Sequence, residues 1–157
     1  MNVTCVEQLR RFYESNRQEL FTYSLAVTRN REAAEDAIHN AFQRLLRRES
    51  LPDDLRPYVF RCVRNASIDD LRQTKRRETD LLVAPDNHAA DTTLRIELDA
   101  LFAQLSNDER ETIVLKVFDG MTFQEIAEVR EVSVNTIASW YRRGMEKLRT
   151  LWMEEVK

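Results

Sequence analysis

From Leu9 onward, apolar side chains recur at helical intervals: Leu9, Phe12, Leu20 and Val27 lead up to Asn30. At 100° per residue that spacing aligns one face, so a first helix or a broken pair fills the span from Thr4 to Asn30. Thr4 with Glu7 reads as a capping box at its start. Asn30 can cap the next helix, in which Ala34, Ala37, Ile38, Ala41, Phe42, Leu45 and Leu46 form one apolar stripe. Its other face carries Glu32, Glu35, Asp36, His39, Asn40, Gln43 and Arg47. The stretch SLPDD interrupts the pattern, and Pro57 suits the first turn of a third helix running to about Arg77. Along that helix Val59, Val63 and Ala66 share one side, while Arg61, Arg64, Arg72 and Lys75 line the opposite side around Ile68.

Periodicity lapses between Glu78 and Asp91, where ETDLLVAPDNHAAD includes Pro85 and Asn87 and reads as a linker. Fully extended, it reaches about 50 Å. The expected organisation is therefore a first helical domain over 1–77, a linker over 78–92 and a second helical domain over 93–157. The second domain begins with Leu94, Leu98, Leu101, Phe102 and Leu105. Ser106 with Glu109 and Thr122 with Glu125 form further capping boxes, and Asp119-Gly120 stops the helix between them. Three capping boxes and the helical spacing agree on an all-α protein of two small domains, the second containing a helix-turn-helix.

The helix-turn-helix reading rests on several residues together. Ala127 is small where two helices would cross, Ser133 can cap the second, and Ile126, Val132, Val134 and Ile137 can hold them together. Projection of the second helix puts Val134, Ile137, Tyr141, Met145, Leu148 and Trp152 inward and Thr136, Ser139, Trp140, Arg143 and Lys147 outward. Asn135, Thr136 and Ser139 near its N-terminus could reach base edges, and Arg142, Arg143, Lys147 and Arg149 could hold phosphates. A solvated face on an ordinary helical hairpin is the plainer alternative.

Charge narrows the possibilities. The 157 residues hold 24 Lys and Arg against 27 Asp and Glu, a net charge of -3. Residues 1–78 carry 15 basic and 12 acidic side chains, whereas 79–108 carry 1 and 6. A weakly acidic chain attracts duplex DNA poorly in bulk, so a nucleic-acid role must rest on local basic stripes or on a partner. Only 2 Gly occur, which excludes a Gly-rich phosphate loop. His39 and His88 lack metal-ligand spacing, and Asp69-Asp70 diverge around a helix, so neither metal, cofactor nor enzymatic chemistry is expected. Cys5 and Cys62 read as buried thiols in preference to a disulfide or metal site. MNVTCVEQLRRFY carries charge too early for a signal peptide, and no apolar run approaches spanning length; the expected location is the cytoplasm.

The segments AEDAIHNAFQRLL and LRPYVFRCVRNASIDDLRQTKRR resemble region two of the bacterial sigma factors, and LFAQLSNDERETIVLKVFDGMTFQEIAEVREVSVNTIASWYRRGMEKLR resembles region four. The ordered pair with only a linker between them is the layout of extracytoplasmic-function (ECF) sigma factors. This resemblance implies a subunit that binds core RNA polymerase through Asp36, His39, Asn40, Gln43 and Arg44. It implies contact with the minus-ten element of promoter DNA through Arg61, Arg64, Asn65, Arg72 and Lys75, and reading of the minus-thirty-five element by region four. It also implies an anti-sigma inhibitor as a partner, no membrane and no small-molecule substrate. Tyr58 and Phe60 open the basic helix beside a loop that receives a flipped base in the family, although Phe60 also suits the core.

The sequence departs from the family pattern at several points. His39-Asn40 replaces Gln-Glu, Glu131 occupies a turn position usually given to Gly, Arg130 replaces an apolar residue, and Ala138 and Trp140 stand where Lys and Arg are common. Trp140 is unusual on an outward face and requires a cover. The competing function is a self-sufficient helix-turn-helix regulator whose first domain senses a ligand or dimerises; it requires a pocket with convergent polar groups or a two-fold interface.

Overall fold

A computed structural model of the chain describes residues 3–77, 100 and 102–155. The elements are α1 (Val3–Thr28), α2 (Arg31–Leu46), α3 (Leu55–Arg77), α4 (Asn107–Ile113), a π-helical turn that continues α4 (Val114–Phe118), α5 (Phe123–Arg130) and α6 (Val134–Glu155). The expected linker 78–92, with Leu94, Leu98 and Leu101, lies outside the described residues.

Helices α1, α2 and α3 form a mutually packed trio. Ala34, Ala37, Ala41 and Ala66 are buried where the helices meet, and their small side chains permit close backbone approach. Leu9, Leu20, Tyr23 and Phe60 fill the remaining volume; the Phe60 ring meets Phe12 edge-on at 6.5 Å and Tyr23 at 6.0 Å. Each such burial stabilises by about 1.5–3 kcal/mol. A buried polar knot ties the trio: Ser24 Oγ donates to the Ala34 carbonyl (3.2 Å) and lies 2.8 Å from Ser67 Oγ, so one α1 side chain touches both neighbours. Asn30 caps α2 as expected, its side chain accepting from Ala33 N at 2.9 Å. Thr4 does not cap α1, because the helix is already formed at Val3 and places Thr4 inside its first turn.

In the second lobe both internal capping boxes form, at Ser106 with Glu109 and at Thr122 with Glu125. Gly120 has φ +66°, the left-handed geometry that ends the helix before it. Glu131 adopts φ 56° at the corner between α5 and α6, where a side chain costs about 1 kcal/mol relative to glycine. Ser133 Oγ accepts from Thr136 N at 3.1 Å and so caps α6.

The projected face of α6 needs correction. Ile137 and Gly144 are buried and Trp140, Tyr141 and Leu148 half-buried, whereas Val134, Met145 and Trp152 are exposed, Trp152 at 61%. Gly144 accounts for the displacement: a Cβ there would lie 2.6 Å from Ile113 Cδ1 and 3.3 Å from Glu109 Cβ, so α4 and α6 touch at the one position that offers no side chain. Trp140 is therefore not outward; it packs against the core, with the Arg130 guanidinium 4.8 Å from its ring centroid.

The two lobes share one apolar cluster. Leu20, Tyr23 and Phe60 belong to it from the first, and Leu115, Met121 and Ile126 from the second. Helix α5 lies against α3, and the π-helical turn lies against α1. The wider turn lets Asp119 N bond to the Val114 carbonyl (3.1 Å), while Val114 and Leu115, consecutive in the chain, are both buried. Replacing Gly144 by valine should lower unfolding stability by about 1–3 kcal/mol by forcing α4 and α6 apart, measured by urea denaturation.

Candidate nucleic-acid interface

The basic side of α3 is where sequence and structure meet most directly. Asn65 and Arg72 are exposed, and the Lys75 side chain lies outside the described residues. Arg61 and Arg64 are only half-exposed, because carboxylates of the second lobe reach them. Arg61 pairs with Glu131 at 3.6 Å, and Arg64 Nε donates to Glu111 Oε1 at 2.8 Å. Arg56, one turn earlier, pairs with Glu125 at 3.7 Å and also donates to the Asp119 carbonyl. Tyr58 sits at the same end of α3, with the guanidinium carbons of Arg48 and Arg61 at 5.2 and 5.4 Å from its ring centroid. Phe60 faces the core and is fully buried.

Glu111 is the centre of the junction. Its buried carboxylate accepts from Tyr23 Oη at 2.6 Å and from Arg64, while Arg130 Nη1 lies 3.5 Å away and Arg130 Nη2 donates to Asp108 at 2.5 Å. Burial and the adjacent Glu111 charge push the Tyr23 phenol well above its ordinary range, so it remains a donor. Burial disfavours the charged Arg64 guanidinium, but the Glu111 hydrogen bond and charge more than reverse that effect and raise its pKa. Nothing in the periodicity pointed to Tyr23, Arg56, Glu111 or Asp119, since their partners lie tens of residues away and no local pattern encodes the pairing.

Asp119 is the strained member of the junction. Its carboxylate oxygens are buried and make no hydrogen bond. Burial, reinforced by Glu19 and opposed by Arg56, pushes its pKa up to about 8.

The outer face of α6 is open near its start. Asn135 is exposed and Thr136 half-exposed, its Oγ1 lying 2.8 Å from Ser133 Oγ; Ser139 is half-buried. Arg142 and Arg143 project freely, whereas Lys147 turns back to bond Glu109 at 2.7 Å. Helices α1 and α2 border an open groove of about 990 Å³. Leu9, Tyr13, Phe21 and Phe42 form its apolar walls, and Asp36 and His39 its polar rim. Asn40 and Gln43 are exposed nearby, Gln43 Nε2 lying 3.1 Å from His39 Nε2, while Arg44 leans toward Asp69 at 3.7 Å.

Known proteins resemble both lobes of the chain. The Sigma-70 region 2 model matches residues 12–77 and the Sigma-70 region 4 model residues 95–148. The chain is 31% identical over 137 residues to the RNA polymerase sigma factor CarQ of Myxococcus xanthus, covering 80% of this chain and 78% of that protein. It is 23% identical over 150 residues to the ECF RNA polymerase sigma factor SigM of Bacillus subtilis, covering 89% and 92% respectively. Its fold is similar to that of the sigma factor RpoE of Bartonella quintana, solved in complex with the anti-sigma factor NepR, with a TM-score of 0.77 at 20% identity over 94% of this chain and 98% of that one. SigJ of Mycobacterium tuberculosis, an extracytoplasmic function sigma factor, gives a TM-score of 0.62 at 23% identity, covering 88% of this chain and 53% of that one.

Asp119 makes the junction sensitive to pH. An ordinary carboxyl ionises near 3.8 on unfolding, whereas in the folded chain the proton is held to about 8. The stability tied to that proton is complete below the lower value and is lost as pH rises to the upper one, by at most about 1.4 kcal/mol per unit. Urea denaturation at a series of pH values should show this decline, and Asp119→Asn should flatten it.

Proposed function

The chain belongs to the sigma-70 family, and we propose that it acts as an ECF-type sigma factor, a dissociable subunit that brings core RNA polymerase to promoter DNA and helps open it. The ordered pair of region 2 and region 4 matches carries this reading. The family is not one of enzymes, and the role asked of this chain is recognition and positioning.

Each surface has a task in this reading. The groove between α1 and α2, rimmed by Asp36 and His39 with Asn40, Gln43 and Arg44 beside it, takes a helical element of core polymerase. An apolar trough with charged edges suits an amphipathic helix. The basic side of α3, with Arg61, Arg64, Asn65, Arg72 and Lys75, takes the minus-ten element. Tyr58, with the guanidiniums of Arg48 and Arg61 near its ring, supplies the aromatic surface on which an unpaired base stacks once an arginine yields, the feature an opened strand needs and a duplex reader does not. On α6, Asn135, Thr136 and Ser139 face base edges in the minus-thirty-five element while Arg142 and Arg143 hold its phosphates. Lys147 joins them only by leaving Glu109.

The domain limits 1–77, 78–92 and 93–157 fit this division. No helix among the described residues is long and apolar enough to cross a membrane, in keeping with work in the cytoplasm. An anti-sigma partner, as in the complex of the Bartonella relative, fits a chain whose polymerase groove stands open.

Run-off transcription with core polymerase on a pool of promoter fragments should give discrete transcripts only when this chain is added. Asp36→Lys should weaken its co-elution with core polymerase about tenfold, equivalent to about 1.4 kcal/mol. Arg72→Ala should leave co-elution intact and reduce open-complex formation, read by permanganate reactivity of unpaired thymines.

A further inference from the structure

We infer that the seam between α1 and α4 holds a binding site for a small aromatic carboxylate, a molecule with one ring and one acid group. The inference goes beyond the functional reading above and does not depend on it.

The cavity that carries it has a volume of about 180 Å³. Leu25, Ala26 and Arg29 border it from α1 and the corner that follows, and Phe102, Arg110 and Phe118 border it from the second lobe. An apolar cavity of about 150 Å³ takes up benzene, so there is room here for one ring. The rings of Phe102 and Phe118 lie 6.2 Å apart at 59°, and Phe118 remains 53% exposed. A ligand ring placed against them gains edge contacts and takes apolar surface out of water.

The charge at the cavity is unbalanced. Arg110 is only 7% exposed, yet its Nε donates to the Phe102 carbonyl (3.2 Å), Nη1 to Asn107 Oδ1 (3.1 Å) and Nη2 to the Leu105 carbonyl (3.3 Å). All three acceptors are neutral, and a guanidinium has more N–H groups than these bonds use, so each terminal nitrogen keeps one N–H for a further acceptor. Glu111 is the adjacent carboxylate, but Tyr23 and Arg64 take its oxygens. Among the described residues, no carboxylate lies within ion-pair distance of Arg29 or Arg110. Arg29 stands at a left-handed corner, φ 57°, where glycine would be less strained, so a cation is kept here at a cost. Burial and the charge of Arg29 lower the Arg110 pKa, and the charge of Glu111 offsets only part of that effect. An anion in the cavity meets both guanidiniums and relieves their repulsion. An inorganic anion leaves the apolar walls uncovered, and a neutral hydrocarbon leaves the cations unmet; an aromatic acid answers both. Because α1 and the second lobe each supply walls, an occupant raises the stability of their packing.

The test titrates the full chain with benzoate, with benzyl alcohol, which keeps the ring without the charge, and with acetate, which keeps the charge without the ring. Amide chemical shifts locate binding and give affinity, and Tm reports stabilisation. Benzoate should bind at least about tenfold more tightly than either control, shift the amides of Ala26 and Arg110, and raise Tm. Arg29→Gln should weaken benzoate about threefold to fivefold and leave benzyl alcohol unaffected. Arg11→Gln, which removes the same charge from an exposed site of α1 away from the cavity, should change benzoate affinity less than about twofold. Ala26→Leu, which fills the cavity from α1, should reduce benzoate binding about tenfold. Should Ala26→Leu fail to fold, Arg29→Gln against Arg11→Gln decides. Benzoate that binds no better than either control, that shifts amides elsewhere in the chain, or that is indifferent to Arg29 overturns the inference. Benzoate binding that emerges only after Asp91→Asn, Glu97→Gln and Asp99→Asn are combined assigns the cavity to the chain's own acidic stretch and overturns it as well. Each of these outcomes leaves the functional reading untouched, since that reading is decided by run-off transcription.

Discussion

A carboxylate removed from water must be met by donors from every side, and Glu111 imposes that demand on the whole molecule. Its partners come from α1, α3 and α5, through Tyr23, Arg64 and Arg130. Removing one member of such a buried set commonly costs about 3–5 kcal/mol, because the charge left behind remains dry. The apolar cluster that joins the lobes could tolerate some sliding, since hydrophobic contact has little direction. The donors around Glu111 have fixed geometry and select one arrangement. Specific docking of the lobes thus comes from a polar centre, and its strength from the apolar surface around it.

Local features were readable from the sequence because their causes are local. The cap at Asn30, the boxes at Ser106 and Thr122 and the stop at Gly120 each depend on neighbours within a few positions. Helical spacing placed Ala34, Ala37, Ala41, Val59 and Val63 in the core for the same reason. The phase of α6 was misjudged because its closest approach to another helix occurs at Gly144, and a hydrophobic pattern assigns no weight to a missing side chain. Trp140 was misplaced with it. Its cover is Arg130, the residue that departs from the family's apolar pattern, so two apparent anomalies are halves of one contact.

The proposed promoter face shows where sequence reasoning stops. Spacing alone located a basic side on α3 and gave each arginine the same standing. Packing divides them: Arg61 and Arg64 are engaged by the second lobe, as is Arg56, which spacing had not picked out, while Arg72 is exposed. Of the acids responsible, Glu125 was legible only as a capping residue, a role it also performs, Glu131 only as a turn residue, and Glu111 carried no local signal. An overall charge of -3 also takes on a more specific meaning. Part of that acidity is held directly against arginines of α3.

Glu131 occupies the corner of the helix-turn-helix at φ 56°, a conformation glycine would adopt with less strain. Its carboxylate is also what reaches Arg61. The same side chain burdens the hairpin and fastens the lobes, so local comfort and global closure pull this position in opposite directions. Glycine there would relax the bend and release the arginine in a single substitution, making the corner a natural tuning point between a sturdier hairpin and a tighter seam between the lobes.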